Sequence, residues 1–580
     1  MMSRAKRIRI EKDQQVSTDY VEEKVDFINS LDNDSLAQIF MLLPISERIT
    51  MNEVCSKWKE ACQLAWHDIK KYKCTNAIVR SYEKCPLTQS YVKRVLFNCG
   101  IYLKELILSN ICDSSIMPII AEYCKNLTSL EFEIVRFETH DTNRFVKAFT
   151  QLKQLKVVEI HIFGDRFQFQ ILNSLPRDIN EIHLFINSYD LPKGLGLDSN
   201  QWSSIICTCK VKPVSPSLFS LREFTNLQSL TIRSYDITDI IQEISKKTTL
   251  VYLDLQGCKT TKKIFTFNQL LNLEHLNINY VSFVNSQSPN MLNPISDIFN
   301  TCKNLKHLDA PGFDVDLAEI KMENWVNLKN LVYLNTRWQA SDAIIKNIIK
   351  YCNNLEFINI DKLNSESIIK LTKLEKLNYL KFERTNDINK EVMVAILDNC
   401  KKLKHLVIFG GYEVEASLFD DLSKLQYIES LSLASSFKLR DSAMIAIAKN
   451  CKLLRSLTIR GCSITSTAHI ALTSLKNLKE LDLLANNNLE DNFIVKLRGI
   501  KSLNCSDCNK LTDAGVIQFI KNNPDLEFLD IRYITKVTIN TIIAADEVSK
   551  NRTNDTFLSI KTNYPDFKKV CIKSQWLICG

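Results

Sequence analysis

The hydrophobic positions of this chain follow one grammar, Leu-x-x-Leu-x-Leu, over most of its length. Instances include Leu103/Leu106/Leu108, Leu155/Val158/Ile160, Leu250/Leu253/Leu255, Leu403/Leu406/Ile408 and Leu526/Leu529/Ile531, and seventeen can be aligned between Leu103 and Ile531. The step averages about 25 residues, a spacing found in stacked repeat arrays. The interval from Ile179 to Leu227 is double length. It predicts either a degenerate repeat near Trp202–Cys207 or an inserted loop around Val211–Phe219. Within Leu-x-Leu, alternate residues point the same way, as in a strand. Between these segments lie stretches such as "DSAMIAIAKN" (Asp441–Asn450), apolar at helical spacing. One strand and one helix cannot bury their own apolar sides, so the copies must stack. The expected fold class is α/β: a parallel sheet on a concave face, helices on a convex face, and a continuous core between them.

The polar positions of x-Leu-x-Leu-x then line the concave face. They include Tyr252, Asp254, His275, His307, Tyr333, Arg337, Phe357, Tyr379, Phe409 and Arg460. Aromatics and arginine among small polar groups are the composition of a protein-binding face. His275, His307 and His405 lie too far apart in this reading to suggest metal ligation.

A different pattern precedes the repeats. Leu36, Ile39, Phe40 and Leu43 fall at i, i+3, i+4 and i+7, one helical face. Asp32 or Asn33 can cap that helix, and Pro44 ends it because its ring cannot continue the helix. Ser46 can cap a second helix, and Val54, Trp58 and Cys62 place a stripe on a third. After Val537 the grammar breaks. "LSI" (Leu558–Ile560) can add a last strand, with Phe567 and Trp576 covering the open end of the core. The expected organisation is a disordered basic head at 1–24, a helical module at 25–70, a linker or cap at 71–98, repeats over 99–537 and a C-terminal cap at 538–580.

Composition narrows the function. Apolar residues make up 45% and charged residues 24% of 580, the balance of a folded soluble protein. A net charge of +8, spread along this length, does not point to nucleic acid. The start is charged with no apolar segment after it, so no secretory leader is expected, and no run reaches the ~20 residues of a membrane span. Nineteen cysteines in such a chain read as reduced thiols of a cytoplasmic or nuclear protein. "SRAKRIRIEK" (Ser3–Lys12) reads as a solvated head or a nuclear localisation signal. Cys258, Cys462 and Cys508 occupy the turn after the strand, a place for a Cys or Asn that satisfies turn backbone; Asn486 and Ser436 occupy it elsewhere. Cys451 ends a helix and packs as a small hydrophobe. "CSDC" (Cys505–Cys508) has half of a zinc spacing, but no second pair stands at suitable distance, so no metal and no cofactor are expected. No nucleophile elbow, P-loop, HExxH or GxGxxG is present.

"NCKLLRSLTIRGCSIT" (Asn450–Thr465) and "LNCSDCNKLTDAGV" (Leu503–Val516) resemble the cysteine-containing leucine-rich repeats of F-box proteins. The helical segment resembles an F-box at Leu31, Leu36, Ile39, Phe40, Leu42, Leu43, Pro44, Arg48, Val54, Cys55 and Trp58. One departure is Asp32, where most F-boxes have proline after the leucine. The resemblance implies a non-catalytic substrate receptor of an SCF-type ubiquitin ligase. Leu31, Leu36, Ile39, Phe40, Leu43, Pro44, Ile45, Met51, Val54 and Trp58 would contact a Skp-family adaptor, linked in turn to cullin and RING subunits. The concave residues would hold a protein target, with no nucleic acid and no membrane involved. The rivals are a leucine-rich-repeat scaffold without ligase role, an enzyme on a solenoid, and a small-molecule co-receptor.

Overall fold

The computed structural model describes residues 27–74, 89–108, 112–134, 137, 140–162, 167–186, 220–261, 267–283, 294–311, 321–336, 341–360, 364–382, 388–409, 414–434, 438–550, 552, 556–563, 574 and 576–579. The basic head, Trp202–Cys207, Arg337, Ser436 and Phe567 lie outside these residues. The chain divides into two compact units, Met1–Ile69 and Lys70–Gly580.

In the first unit a single turn, α1 (Phe27–Ser30), precedes α2 (Asn33–Met41), α3 (Ile45–Met51) and α4 (Ser56–Leu64). Asp32 caps α2 by accepting the Ser35 N–H at 2.7 Å. That bond also holds its carboxyl below the ordinary range. Proline at this place would supply no such acceptor, so the departure from the F-box pattern has a local compensation. Ser46 does not cap α3; Pro44 stands at the N-cap, and Ser46 is already helical. Val54 likewise lies outside α4, whose N-cap is Cys55. Leu36, Ala37, Phe40, Ala61, Cys62 and Ala65 form the core, with Leu31, Met41, Leu43, Met51 and Trp58 packed against it.

In the second unit twenty strands form one sheet among the described residues. Each strand pairs parallel with the next repeat's strand, as in Tyr333–Thr336 against Phe357–Ile360. Seventeen strands fall on the seventeen Leu-x-x-Leu-x-Leu positions. The other three are Lys71–Cys74, Leu558–Lys561 and Leu577–Cys579. The sheet therefore begins at Lys71, earlier than the residue 99 expected from the leucine pattern, because "KYKC" contributes backbone without that pattern. At the other end Leu558–Lys561 pairs with Phe528–Asp530 and with Leu577–Cys579, and Trp576 is buried there.

Register joins the strands that flank the double-length interval. Glu181 pairs directly with Ser229, and Phe185 with Arg233. The two strands are direct neighbours in the sheet, and Trp202–Cys207 and Val211–Phe219 lie outside the described residues. Helices back most repeats, as in Asp342–Tyr351, Lys390–Asn399 and Asp513–Asn522. Elsewhere the backing is 3-10, as in Phe169–Ser174. The leucine positions are almost all fully buried, from Leu103 and Leu106 to Leu526 and Leu529.

Two ladders tie repeat to repeat. After several strands one residue takes a left-handed conformation: Gly257, Gly461, Ala485 and Asp507, with φ from 59° to 70°. The next residue turns inward and donates to a carbonyl of the preceding repeat. Cys258 Sγ reaches the Ile232 oxygen at 3.0 Å, Cys508 Sγ the Leu483 oxygen at 3.1 Å, and Asn486 Nδ2 the Ile459 oxygen at 2.6 Å. Cysteine and asparagine share this place because each carries a donor small enough to be buried against backbone. Helix-end cysteines do the same. Cys302 Sγ donates to Leu270 at 3.2 Å and Cys451 Sγ to Leu425 at 3.7 Å, so Cys451 is a donor as well as a packing residue. In the next-to-last such repeat Asn523 substitutes, donating to the Leu497 oxygen at 3.2 Å and accepting the Ile500 N–H at 2.9 Å. On the helical side Thr512 N–H donates to Asp491 at 3.0 Å and Thr538 N–H to Asp513 at 2.7 Å.

Candidate functional site

The first unit presents apolar side chains that its own core does not use. Leu42, directly after α2, is 86% exposed; Ile39, three residues before it, is 45% exposed, and Val54 is 54% exposed. Pro44 is also exposed, while Leu31, Leu43, Ile45, Met51 and Trp58 are half-buried. Leu36 and Phe40 are at 0% and 3%, with Phe40 and Trp58 rings 5.3 Å apart. Leu36 and Phe40 therefore hold the module together and are closed to a partner, which corrects their place among the expected adaptor contacts. Leu42 is the side chain that faces outward instead. Its exposure follows from its position at the helix C-cap, where the helical apolar stripe no longer dictates direction.

Arg48 fixes this surface from beneath. Its guanidinium is 3% exposed as a residue and donates to the carbonyls of Leu43 at 2.9 Å, Ala65 at 2.6 Å and Met41 at 2.5 Å. It also pairs in bidentate fashion with Asp68, at 2.6 and 2.9 Å. A buried arginine is tolerable only when its fork of donors is filled this way. It locks the ends of α2 and α4, and with them the turn bearing Leu42 and Pro44.

In the second unit the outward row of the sheet is a stack of rings. Tyr252, His275, His307, Tyr333, Phe357 and Tyr379 follow one another at centroid distances of 4.1, 4.0, 3.9, 4.0 and 4.3 Å, and His405 follows Tyr379 at 5.4 Å. The parallel register makes each ring the direct neighbour of the next. Strands lie about 4.8 Å apart, and planar side chains at one repeated position tilt together to fill that gap. His275 and His307 are thus immediate neighbours, which corrects the expectation that the histidines are dispersed. Burial lowers both imidazoles, to about 4 and about 3, with His275 adding to the lowering at His307. They are neutral at physiological pH, each a donor and an acceptor.

Beside the rings runs a polar row. Asp254, fully buried, accepts from Arg233 at 2.8 Å and from Asn277 at 3.2 Å. Asn335 donates to Asp309 at 2.8 Å, and Asn359 to Asn335 at 2.8 Å. Burial raises Asp309 to about 6. Phe409 is exposed, and Arg460 is held by Asp482 at 2.7 Å. Further along the row the continuous stack ends: Ser430, Ser456, Glu480 and Ser502 follow before the next ring, Phe528.

The same rule of outward positions also places Glu131, Glu159, His161 and His183 on this face, toward the N-terminal end of the sheet. They were legible from the x-Leu-x-Leu-x pattern, which sequence reasoning applied only from Tyr252 onward. His161 stacks on Phe185 at 4.8 Å, and the Arg233 guanidinium lies 5.2 Å from the centroid of the same ring. The thiols of "CSDC" face inward instead. Cys505 donates to the Asp530 oxygen at 3.5 Å, and burial pushes Cys508 up to about 12.

No family model matches the chain. It is 28% identical over 183 residues to F-box/LRR-repeat protein 4 of Bos taurus, covering 30% of this chain and 28% of that one. It is 30% identical over 153 residues to Antagonist of mitotic exit network protein 1 of Saccharomyces cerevisiae, covering 24% and 28%. It is 25% identical over 202 residues to F-box/TPR repeat protein pof3 of Schizosaccharomyces pombe, covering 33% and 34%. The chain thus spans less than half the length of each of these relatives. Among solved structures it is similar to a leucine-rich-repeat protein of Leptospira interrogans, with 16% identity, a TM-score of 0.35, and coverage of 84% of this chain and 99% of that one. A leucine-rich-repeat sheet with cysteine and asparagine ladders, preceded in the chain by a helical module, and relatives named for F-box and repeat make this chain similar to F-box/leucine-rich-repeat proteins.

Proposed function

We propose that this protein is the substrate-recognition subunit of an SCF-type cullin-RING ubiquitin ligase, acting in the cytoplasm or nucleus and carrying no active site of its own. Its part in catalysis is proximity: it holds a target where a ubiquitin-charged enzyme reaches its lysines. The observation that carries the reading is the number of exposed apolar residues on so short a helical module: Ile28, Ile39, Leu42, Val54 and Leu64, with Leu42 the most exposed at 86%. Apolar side chains concentrated on so small a unit mark an interaction site. The relatives' names agree with it. The outward row from Tyr252 to His405 is the surface offered to the target. Its rings are ordered in advance by stacking, so a partner meets them at little entropic cost.

The test is binding of the full chain to a purified Skp-family adaptor. Leu42→Asp is expected to abolish capture while the circular dichroism spectrum is unchanged, since Leu42 supports no core contact of consequence. Equal capture by the wild type and Leu42→Asp would remove the adaptor reading and leave a repeat scaffold with a helical cap.

A further inference from the structure

Near the N-terminal end of the sheet the strands Ser129–Ile134, Val157–Ile162 and Glu181–Ile186 are six residues long and in register. Glu131 lies opposite Glu159, and Glu133 opposite His161. His161 Nε2 stands 2.8 Å from Glu159 Oε1 and 4.0 Å from Glu131 Oε1. One ligand atom from each of Glu131, Glu159 and His161 can be drawn within a mutual spread of 4.8 Å. Two carboxylates directly opposite on neighbouring strands repel. One carboxylate would satisfy the imidazole, yet two converge on it.

We propose that Glu131, Glu159 and His161 form a divalent-metal site of the zinc or manganese class on the outward face of the sheet. The donor set is one imidazole nitrogen and two carboxylate oxygens, which suits borderline to hard divalent ions. Such an ion holds its ligands at about 2.0–2.2 Å, so donor atoms bound to it stand roughly 3–3.5 Å apart. The observed separations bracket that range and close with small side-chain rotations. Phe185, stacked on His161, fixes the imidazole plane and leaves Nε2 aimed at the carboxylates. The three ligands come from two adjacent strands of a rigid sheet, which is more ordered than a loop site. All three are half-buried rather than enclosed, so the ion keeps positions open to water or to an acidic group of a docked partner. This inference is independent of the ligase reading.

The experiment titrates the full chain with Co²⁺ and with Mn²⁺. Cobalt is expected to give visible bands of nitrogen and oxygen ligation without thiolate charge transfer. His161→Phe keeps the ring on Phe185 and removes the ligand; it should abolish those bands. Glu131→Gln should weaken binding by about tenfold or more. Affinity should also fall with falling pH, because protons compete with the metal for its ligands. Unchanged binding in His161→Phe would overturn the proposal, as would cobalt spectra showing thiolate ligation alone. The melting temperature of each variant without metal separates ligand loss from misfolding, and adaptor capture by His161→Phe is expected to equal that of the wild type.

Discussion

Two regions of the sheet solve the same problem differently. Between Ser129 and Ile186 the strands run six residues and the backbone is satisfied by strand pairing across the whole segment. Between Ser456 and Asp530 the strands run three residues, and the backbone leaves the sheet through a left-handed residue followed by an inward cysteine or asparagine. Both regions obey Leu-x-x-Leu-x-Leu. The long strands show three outward side chains each, which is what brings Glu131, Glu159 and His161 together. The short strands show fewer and spend side-chain donors on their own turns. Strand length and outward surface are thus coupled through the choice of backbone partner.

The largest expected separation of the two regions is by acid. His469 is fully buried in the short-strand region, and neither ring nitrogen has a hydrogen-bond partner. Burial lowers it to about 4, as it lowers His275 to about 4 and His307 to about 3. The ordinary value is 6.5. The unfolded chain therefore binds more protons than the folded one as pH falls below about 6.5, and stability declines until the folded values are reached. Asp309, raised to about 6, opposes this, since its folded carboxyl is protonated first and gains stability as pH falls. In the long strands His161 and His183 have carboxylates within reach instead. Hydrogen exchange at pH 7 and pH 5 should show protection lost first around His469 and the His275–His307 strands. His469→Phe should flatten the change in its own repeat; equal loss in the 129–186 strands would break the comparison.

Next in size is Gly515→Ala. A Cβ there would stand 2.1 Å from Asp491 Oδ1, and Asp491 is held by the Thr512 N–H at 3.0 Å. Overpacking of this kind costs about 3 kcal/mol. A fall in melting temperature with lost protection between Asp491 and Asn522 is the expected outcome; a silent substitution would show that the threonine–aspartate ladder yields freely.

Asn486→Ala should cost about 2 kcal/mol, because the Ile459 and Leu483 carbonyls lose a buried donor. Asn486→Cys should restore part of it, as the thiols of Cys258 and Cys508 do in their repeats. Ile162→Val, at the end of a long strand, should cost about 1 kcal/mol and no more, since strand pairing there does not rest on a side-chain donor. Chemical denaturation of each variant ranks them.

The smallest effect is expected at the ring stack. Tyr333→Leu keeps apolar bulk but breaks the sequence of rings between His307 and Phe357, for a loss of about 1 kcal/mol. Its diagnostic is a shift of the His307 titration toward its ordinary value, read by NMR, rather than the stability change itself.

Seventeen strands could be located from the amino-acid sequence because burying a leucine at a fixed spacing is a local demand, repeated until no other fold could meet it. The role of the turn cysteines was equally legible, since a donor at one place in the repeat has one set of carbonyls to reach. Tertiary structure alone decided three things. It paired Glu181–Ile186 directly with Ser229–Arg233 across an interval twice the usual length, because register is set by which strand edge is free and not by distance along the chain. It turned Leu36 and Phe40 inward and Leu42 outward, because a helical stripe does not say where its last turn ends. And it set His275 against His307, and Glu131 against Glu159 beside His161, because side chains about thirty residues apart become neighbours only when parallel strands bring equal positions to about 4.8 Å.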